Sequence, residues 1–121
     1  MKLDGLRWLG IATDQPDAMV GFLRDKLGLR IELAEPTTTE LSLTNGDRVQ
    51  VFAPGNAYHE QYRSQGIVPL FELNDVHAAR RMLEEAGVEV GELKSDAAWE
   101  WVDVRAPDGR LYVLASLLTR F

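Results

Sequence analysis

The chain has 121 residues, 45% of them hydrophobic and 26% charged, a balance that fits one globular domain with its own core. It contains no cysteine, which excludes disulfides, thiolate metal sites and a cysteine nucleophile together. A net charge of −6 argues against nucleic acid as a partner, because phosphate binding needs a basic face. No apolar run reaches bilayer length and no charged-then-apolar leader opens the sequence, so the expectation is a cytoplasmic protein with no membrane partner.

Leu6 to Ala12 reads as a strand, with Leu9 and Ile11 on one face and Trp8 and Gly10 on the other. A helix over roughly 15 to 27 follows. Asp14 suits its N-cap, Pro16 its first turn and Asp17 the positive end of its dipole. Met19, Phe22, Leu23 and Leu27 recur at helical spacing as its apolar stripe, and Gly28 can close it. Leu29 to Glu35 is a strand with Leu29, Ile31 and Leu33 on one side, and Thr39 to Thr44 is the next. Asn45-Gly46 is a strong hairpin signal, so Arg48 to Ala53 should return antiparallel as the fourth strand.

Residues 54 to 65 are polar and carry Tyr58, His59 and Tyr62, which reads as a linker loop lying over something. Ile67 to Leu73 is the fifth strand, and Asp75 caps a second helix striped by Val76, Ala79, Leu83 and Ala86 and ended by Gly87. Strands follow at Val88 to Leu93, Trp99 to Arg105 and Arg110 to Ser116, the last two joined by a Pro107-Asp108-Gly109 turn.

The second half repeats the first. Asn45-Gly-Asp-Arg-Val-Gln-Val-Phe-Ala-Pro answers Pro107-Asp-Gly-Arg-Leu-Tyr-Val-Leu-Ala-Ser, and Lys26-Leu-Gly-Leu-Arg-Ile answers Glu85-Ala-Gly-Val-Glu-Val. The expected fold is therefore α+β: two tandem βαβββ units, 6–53 and 66–116, forming a curved mixed sheet with a concave cavity and helices on the outer face. A tail over 117–121 completes the single domain.

Four stretches carry a family resemblance: Trp8-Leu-Gly-Ile-Ala-Thr-Asp, Phe22-Leu-Arg-Asp-Lys-Leu-Gly-Leu, Phe71-Glu-Leu-Asn-Asp-Val-His-Ala-Ala and Ala106-Pro-Asp-Gly-Arg-Leu-Tyr-Val-Leu. In this order the chain resembles the vicinal oxygen chelate superfamily of glyoxalases, bleomycin-resistance proteins and extradiol dioxygenases. The resemblance implies a divalent metal on the concave sheet, held by histidines or carboxylates on the first, fourth, fifth and eighth strands. The matching positions here are Trp8, Gln50, Val68 and Val113, with Val51 in place of Gln50 if the fourth strand is shifted by one. Three apolar groups and at most one amide cannot chelate a divalent ion, so no metal and no other cofactor is expected. The two histidines offer little rescue: His77 reads as an exposed helix residue, and His59 lacks a second histidine at ligand spacing.

Period-2 alternation extends the set of cavity-facing residues. Phe52 accompanies Gln50, Leu70 and Glu72 accompany Val68, and Trp99, Trp101 and Asp103 take the cavity side while Val102 and Val104 face the helix. Trp8 serves either as core filling or as a ligand contact, and Trp99 suits the rim or a subunit interface. Tyr58, His59 and Tyr62 would sit in a loop closing over the cavity. The implied function is a metal-independent small-molecule binder for an aromatic or cationic ligand. The alternative is a metal-dependent lyase, isomerase or dioxygenase of the glyoxalase type with unusual ligands. Exposed sheet edges, with Leu117, Leu118 and Phe121, point to a homodimer.

Overall fold

The computed structural model describes residues 1–118, and Phe121 of the apolar tail lies outside the described residues. Its α+β chain divides into two compact units, one of Trp8–Val68 and one of Met1–Arg7 with the chain from Pro69 onward. Each unit carries a βαβββ run.

In the first unit the run is β1 (Gly5–Ala12, entering at Trp8), α1 (Pro16–Gly21), β2 (Arg30–Glu35), β3 (Thr38–Ser42) and β4 (Arg48–Phe52). Its strands lie in the order β2-β3-β4-β1, antiparallel except for the parallel pair β4 and β1. Ile11, Leu23, Leu41, Val49 and Val51 form the core on one face, with Met19 and Val20 of α1 packed against it. The expected helix is present but changes character: Phe22–Lys26 is a π-turn in which the Leu27 N–H donates to the Phe22 carbonyl. A wider turn rotates later residues off the 3.6-residue stripe. Leu27, expected inside, is therefore exposed, while Leu23 is buried; Phe22, also expected inside, is exposed where the turn begins. Gln15 rather than Asp14 occupies the N-cap position, without a side-chain cap bond.

A bulge in β2 has a similar effect. Ile31 stands opposite Leu41 but Leu33 stands opposite Glu40, so Glu32 is the extra residue. One inserted residue swaps faces in a period-2 strand, and Leu33 is exposed instead of joining Leu29 and Ile31 on the core side. The hairpin at Asn45-Gly46 forms, with Gly46 alone at positive φ (92°). Asn45 is not left-handed, so the pair does not form the type I′ turn, and the Leu43 N–H instead donates to the Asp47 carbonyl across a longer loop.

The expected loop after β4 contains a helix, α2 (Ala57–Tyr62). Asn56 caps it by accepting the Tyr58 N–H and also donates to Thr37 Oγ1 at 3.2 Å.

The second unit has β5 (Ile67–Glu72, from Pro69), α3 (Val76–Glu85), β6 (Lys94–Ser95), β7 (Trp99–Arg105) and β8 (Leu111–Leu117). Its order, β5-β8-β7-β6 with β5 and β8 parallel, repeats the scheme of the first. Asp75 caps α3 as expected, accepting the Ala78 N–H, and the buried Ser116 hydroxyl accepts the Val76 N–H at 2.8 Å. Leu73, Val76, Ala79, Val102 and Leu114 make the core, with Val104 against it. The strand expected over 88–93 reduces to a single bridge between Val90 and Val104. Among the described residues no helix is long and apolar enough to cross a membrane.

Candidate functional site

The face of each unit turned away from its helix-packed core follows from register. In the first unit Gly10, Gln50 and Glu40 are consecutive partners across three strands, as are Trp8, Arg48, Ser42 and Arg30 across four. Partners share a face. Gln50 therefore lies on the face of Trp8 and Gly10, while Val51 is in the core.

Trp8 lies flat along its own strand. A Cβ built on Gly10 would stand 2.3 Å from the indole Cη2, 2.9 Å from Cζ3 and 2.9 Å from Val68 Cγ1, so the indole and Val68 together fill the space above the glycine. The indole N–H donates to Gln50 Oε1 at 3.1 Å, and Gln50 Nε2 donates to Thr38 Oγ1 at 3.0 Å. Aromatic contact continues from Trp8 to Phe52 (6.1 Å between centroids), to Tyr58 (5.4 Å) and to Tyr62 (6.2 Å, stacked). Tyr58 and Tyr62 are one helical turn apart on α2, which brings both rings to the same side.

His59 leaves this group. It is buried, and its Nε2 lies 2.8 Å from Asp14 Oδ1, so it ties α2 to the turn before α1. The Asp14 carboxylate expected to cap the helix makes this contact instead.

Further along the same face are charged residues that sequence reasoning did not single out. Arg48 Nη1 pairs with Glu40 at 2.7 Å, the Ser42 hydroxyl donates to Glu32 Oε1 at 2.7 Å, and Arg30 lies 3.7 Å from Glu32. The Ser42 hydrogen bond, with Arg30 and Arg48 behind it, holds the Glu32 carboxyl below its usual range. Alternation along β3 and β4 from Gln50 would have found Arg48, Glu40 and Ser42; the bulge hides Glu32.

In the second unit Leu70, Val113 and Asp103 are consecutive partners, as are Glu72, Ala115, Trp101 and Lys94, and Trp99 stands opposite Leu117. These residues share the face opposite the Val102 and Leu114 core, as the alternation along β7 requires. The Glu72 carboxylate accepts from Arg7 Nε at 2.8 Å. Val113 and Ala115 are buried, and Trp99, Trp101, Asp103, Leu70 and Glu72 are half-buried. His77 is exposed on its helix, as expected, and pairs with Glu100 Oε2 at 2.8 Å.

Two βαβββ units, each with one parallel strand pair, define a class of paired-repeat α+β proteins, and the sequence assigns the family within it. The family model for the Glyoxalase/Bleomycin resistance protein/Dioxygenase superfamily matches residues 5–112, and the chain belongs to that superfamily. Solved structures share the fold at low identity. A methylmalonyl-CoA epimerase from Streptomyces coelicolor is 20% identical, with a TM-score of 0.73 over 98% of this chain and 100% of that one. A superfamily member from Vibrio splendidus is 18% identical, with a TM-score of 0.72 over 93% and 99%. The Mn(II)-bound glyoxalase from Novosphingobium aromaticivorans is 20% identical, with a TM-score of 0.75 over 95% of this chain and 39% of its own. A search of curated proteins found no match.

The metal that the family implies does not fit the residues at the corresponding positions. Trp8, Val68 and Val113 offer no donor, and both ends of the Gln50 amide are already hydrogen-bonded. Among the described residues no group of three or more His, Asp or Glu side chains is placed to hold an ion.

Proposed function

We propose that this chain is a metal-independent small-molecule binding protein of the superfamily, taking a planar aromatic or cationic ligand on its aromatic sheet face. The observation that carries the reading is Gln50. It is the one oxygen-bearing side chain among the four matching positions, and its amide is committed to the Trp8 indole and the Thr38 hydroxyl. Releasing it to a cation would leave a half-buried indole N–H without its partner, a cost of about 1–3 kcal/mol before any coordination.

Support for the ligand class comes from each unit separately. Trp8, Phe52 and Tyr58 present a run of rings in the first. Trp99 and Trp101 share a face with Glu72 and Asp103 in the second. Indole faces attract cations by about 0.5–2 kcal/mol, and nearby carboxylates add to that. A homodimer is part of the proposal, and light scattering after gel filtration tests it.

The deciding experiment is elemental mass spectrometry on protein purified without chelator and offered Ni, Zn, Mn and Fe(II). Sub-stoichiometric metal is expected. Near-stoichiometric, tightly held metal would replace this reading with a metal-dependent lyase or dioxygenase. Planar aromatic amines are then screened by tryptophan fluorescence, and Trp101→Ala is expected to weaken the best of them about ten-fold or more. Unchanged affinity would remove Trp101 from the site.

A further inference from the structure

The hairpin end of the first unit carries a depression of about 430 Å³, lined by Arg30, Glu32, Ser42 and Arg48 together with Gly28 and Gly46. We propose that it binds a small oxyanion, a carboxylate or phosphate group, held between the guanidinium groups of Arg30 and Arg48.

Register brings the two arginines together. Arg30, Ser42 and Arg48 are consecutive partners on β2, β3 and β4, so the arginine backbones stand two strand spacings, roughly 10 Å, apart on one face. Side chains of that length can converge on one group above the serine. The lining holds two cations and one carboxylate, and Glu40, which pairs with Arg48 from outside the lining, brings the local charge to balance, so the anion is held by the forked donors rather than by net charge.

The donors are under-used. Arg30 is 83% exposed along its side chain and makes one ion pair, to Glu32, at 3.7 Å, which is beyond hydrogen-bond distance. Glu32 instead takes the Ser42 hydroxyl at 2.7 Å. Arg48 gives Nη1 to Glu40, while a guanidinium has five N–H groups in a fork that matches carboxylate and phosphate oxygens. Gly28 and Gly46 contribute no side chain, and a Cβ at either would meet nothing within 4 Å, so the approach is open. This inference is independent of what the aromatic face binds.

The test is a titration at low ionic strength, followed by amide NMR, with sodium phosphate in one arm and sodium benzoate in the other. Saturable shifts of residues 28–32 and 42–48 are expected in at least one arm, with a millimolar dissociation constant. Arg30→Gln, at an exposed position where folding is not at stake, is expected to weaken binding about five-fold, and Glu32→Gln, which removes the competing carboxylate, to tighten it about two- to five-fold. Tighter phosphate assigns a phosphate ligand, and tighter benzoate assigns an organic acid. Shifts that stay linear to about 50 mM in both arms, or saturable binding indifferent to Arg30→Gln, would overturn the proposal.

Discussion

Adding one methyl group at Gly10 is the sharpest test of how the candidate face is built. The alanine Cβ would stand 2.3 and 2.9 Å from two Trp8 ring carbons and 2.9 Å from Val68 Cγ1, where carbon contacts normally settle near 3.5–4 Å. The indole must shift by more than an ångström. That movement breaks its 3.1 Å bond to Gln50, worth about 1 kcal/mol, and its ring contact with Phe52, worth about 0.5–1.5 kcal/mol. Alanine restores about 0.4–1 kcal/mol by stiffening the unfolded chain, since Gly10 is not among the positive-φ glycines. Gly10→Ala is therefore expected to cost about 1–2 kcal/mol in urea unfolding, with a change in native tryptophan emission. In a Trp8→Ala background the same substitution no longer meets the indole and should cost less, giving a coupling energy of about 1 kcal/mol in the double-mutant cycle. A loss below about 0.5 kcal/mol with unchanged emission, or no coupling, would refute the placement of the indole over Gly10.

Other expectations rest on single contacts. Ser116→Ala leaves the Val76 N–H buried without its partner and should cost about 1–3 kcal/mol, measured by thermal or urea unfolding. Asn56→Ala removes the α2 cap and the bond to Thr37 and should cost about 1 kcal/mol, with faster amide exchange confined to 57–62. The Arg110 backbone N–H, then its side chain, hold the Asp108 carboxyl below the usual aspartate range. A depressed folded pKa means that this contribution to stability is complete at neutral pH and is lost as pH falls through the lowered value. A carbon-detected NMR titration should place Asp108 below Asp in an unstructured peptide, and Arg110→Ala should return it upward.

The legibility of the fold and the candidate face depended on the length of each signal. Strand alternation carried well: Val102 and Val104 went to the core side and Trp101 and Asp103 to the other, because side-chain period leaves no third choice. Asp75 was a readable cap for the same reason, since a carboxylate before an apolar stripe has one good partner. The π-turn at Phe22–Lys26 and the bulge at Glu32 were hidden. Each adds a residue without a mark in the composition and turns a downstream leucine to the other side, Leu27 in one case and Leu33 in the other. At six residues α2 is too short for helical periodicity, although Asn56 before Tyr58 and Tyr62 was a usable cue. That Trp8 lies over Gly10 was not readable, because rotamers are set by packing. The choice between core filling and ligand contact at Trp8 therefore turns on the binding experiments.

The bond between Val76 and Ser116 spans 40 positions, and it gives folding in the second unit a clock. At about 5–20 residues per second, the ribosome releases the start of α3 several seconds before the strand that accepts its first-turn N–H. During that interval Leu73, Val76 and Ala79 have neither Val102 nor Leu114 to cover them. A chaperone that engages this chain during synthesis would find its apolar target in α3, and release should coincide with the pairing of β8 between β5 and β7.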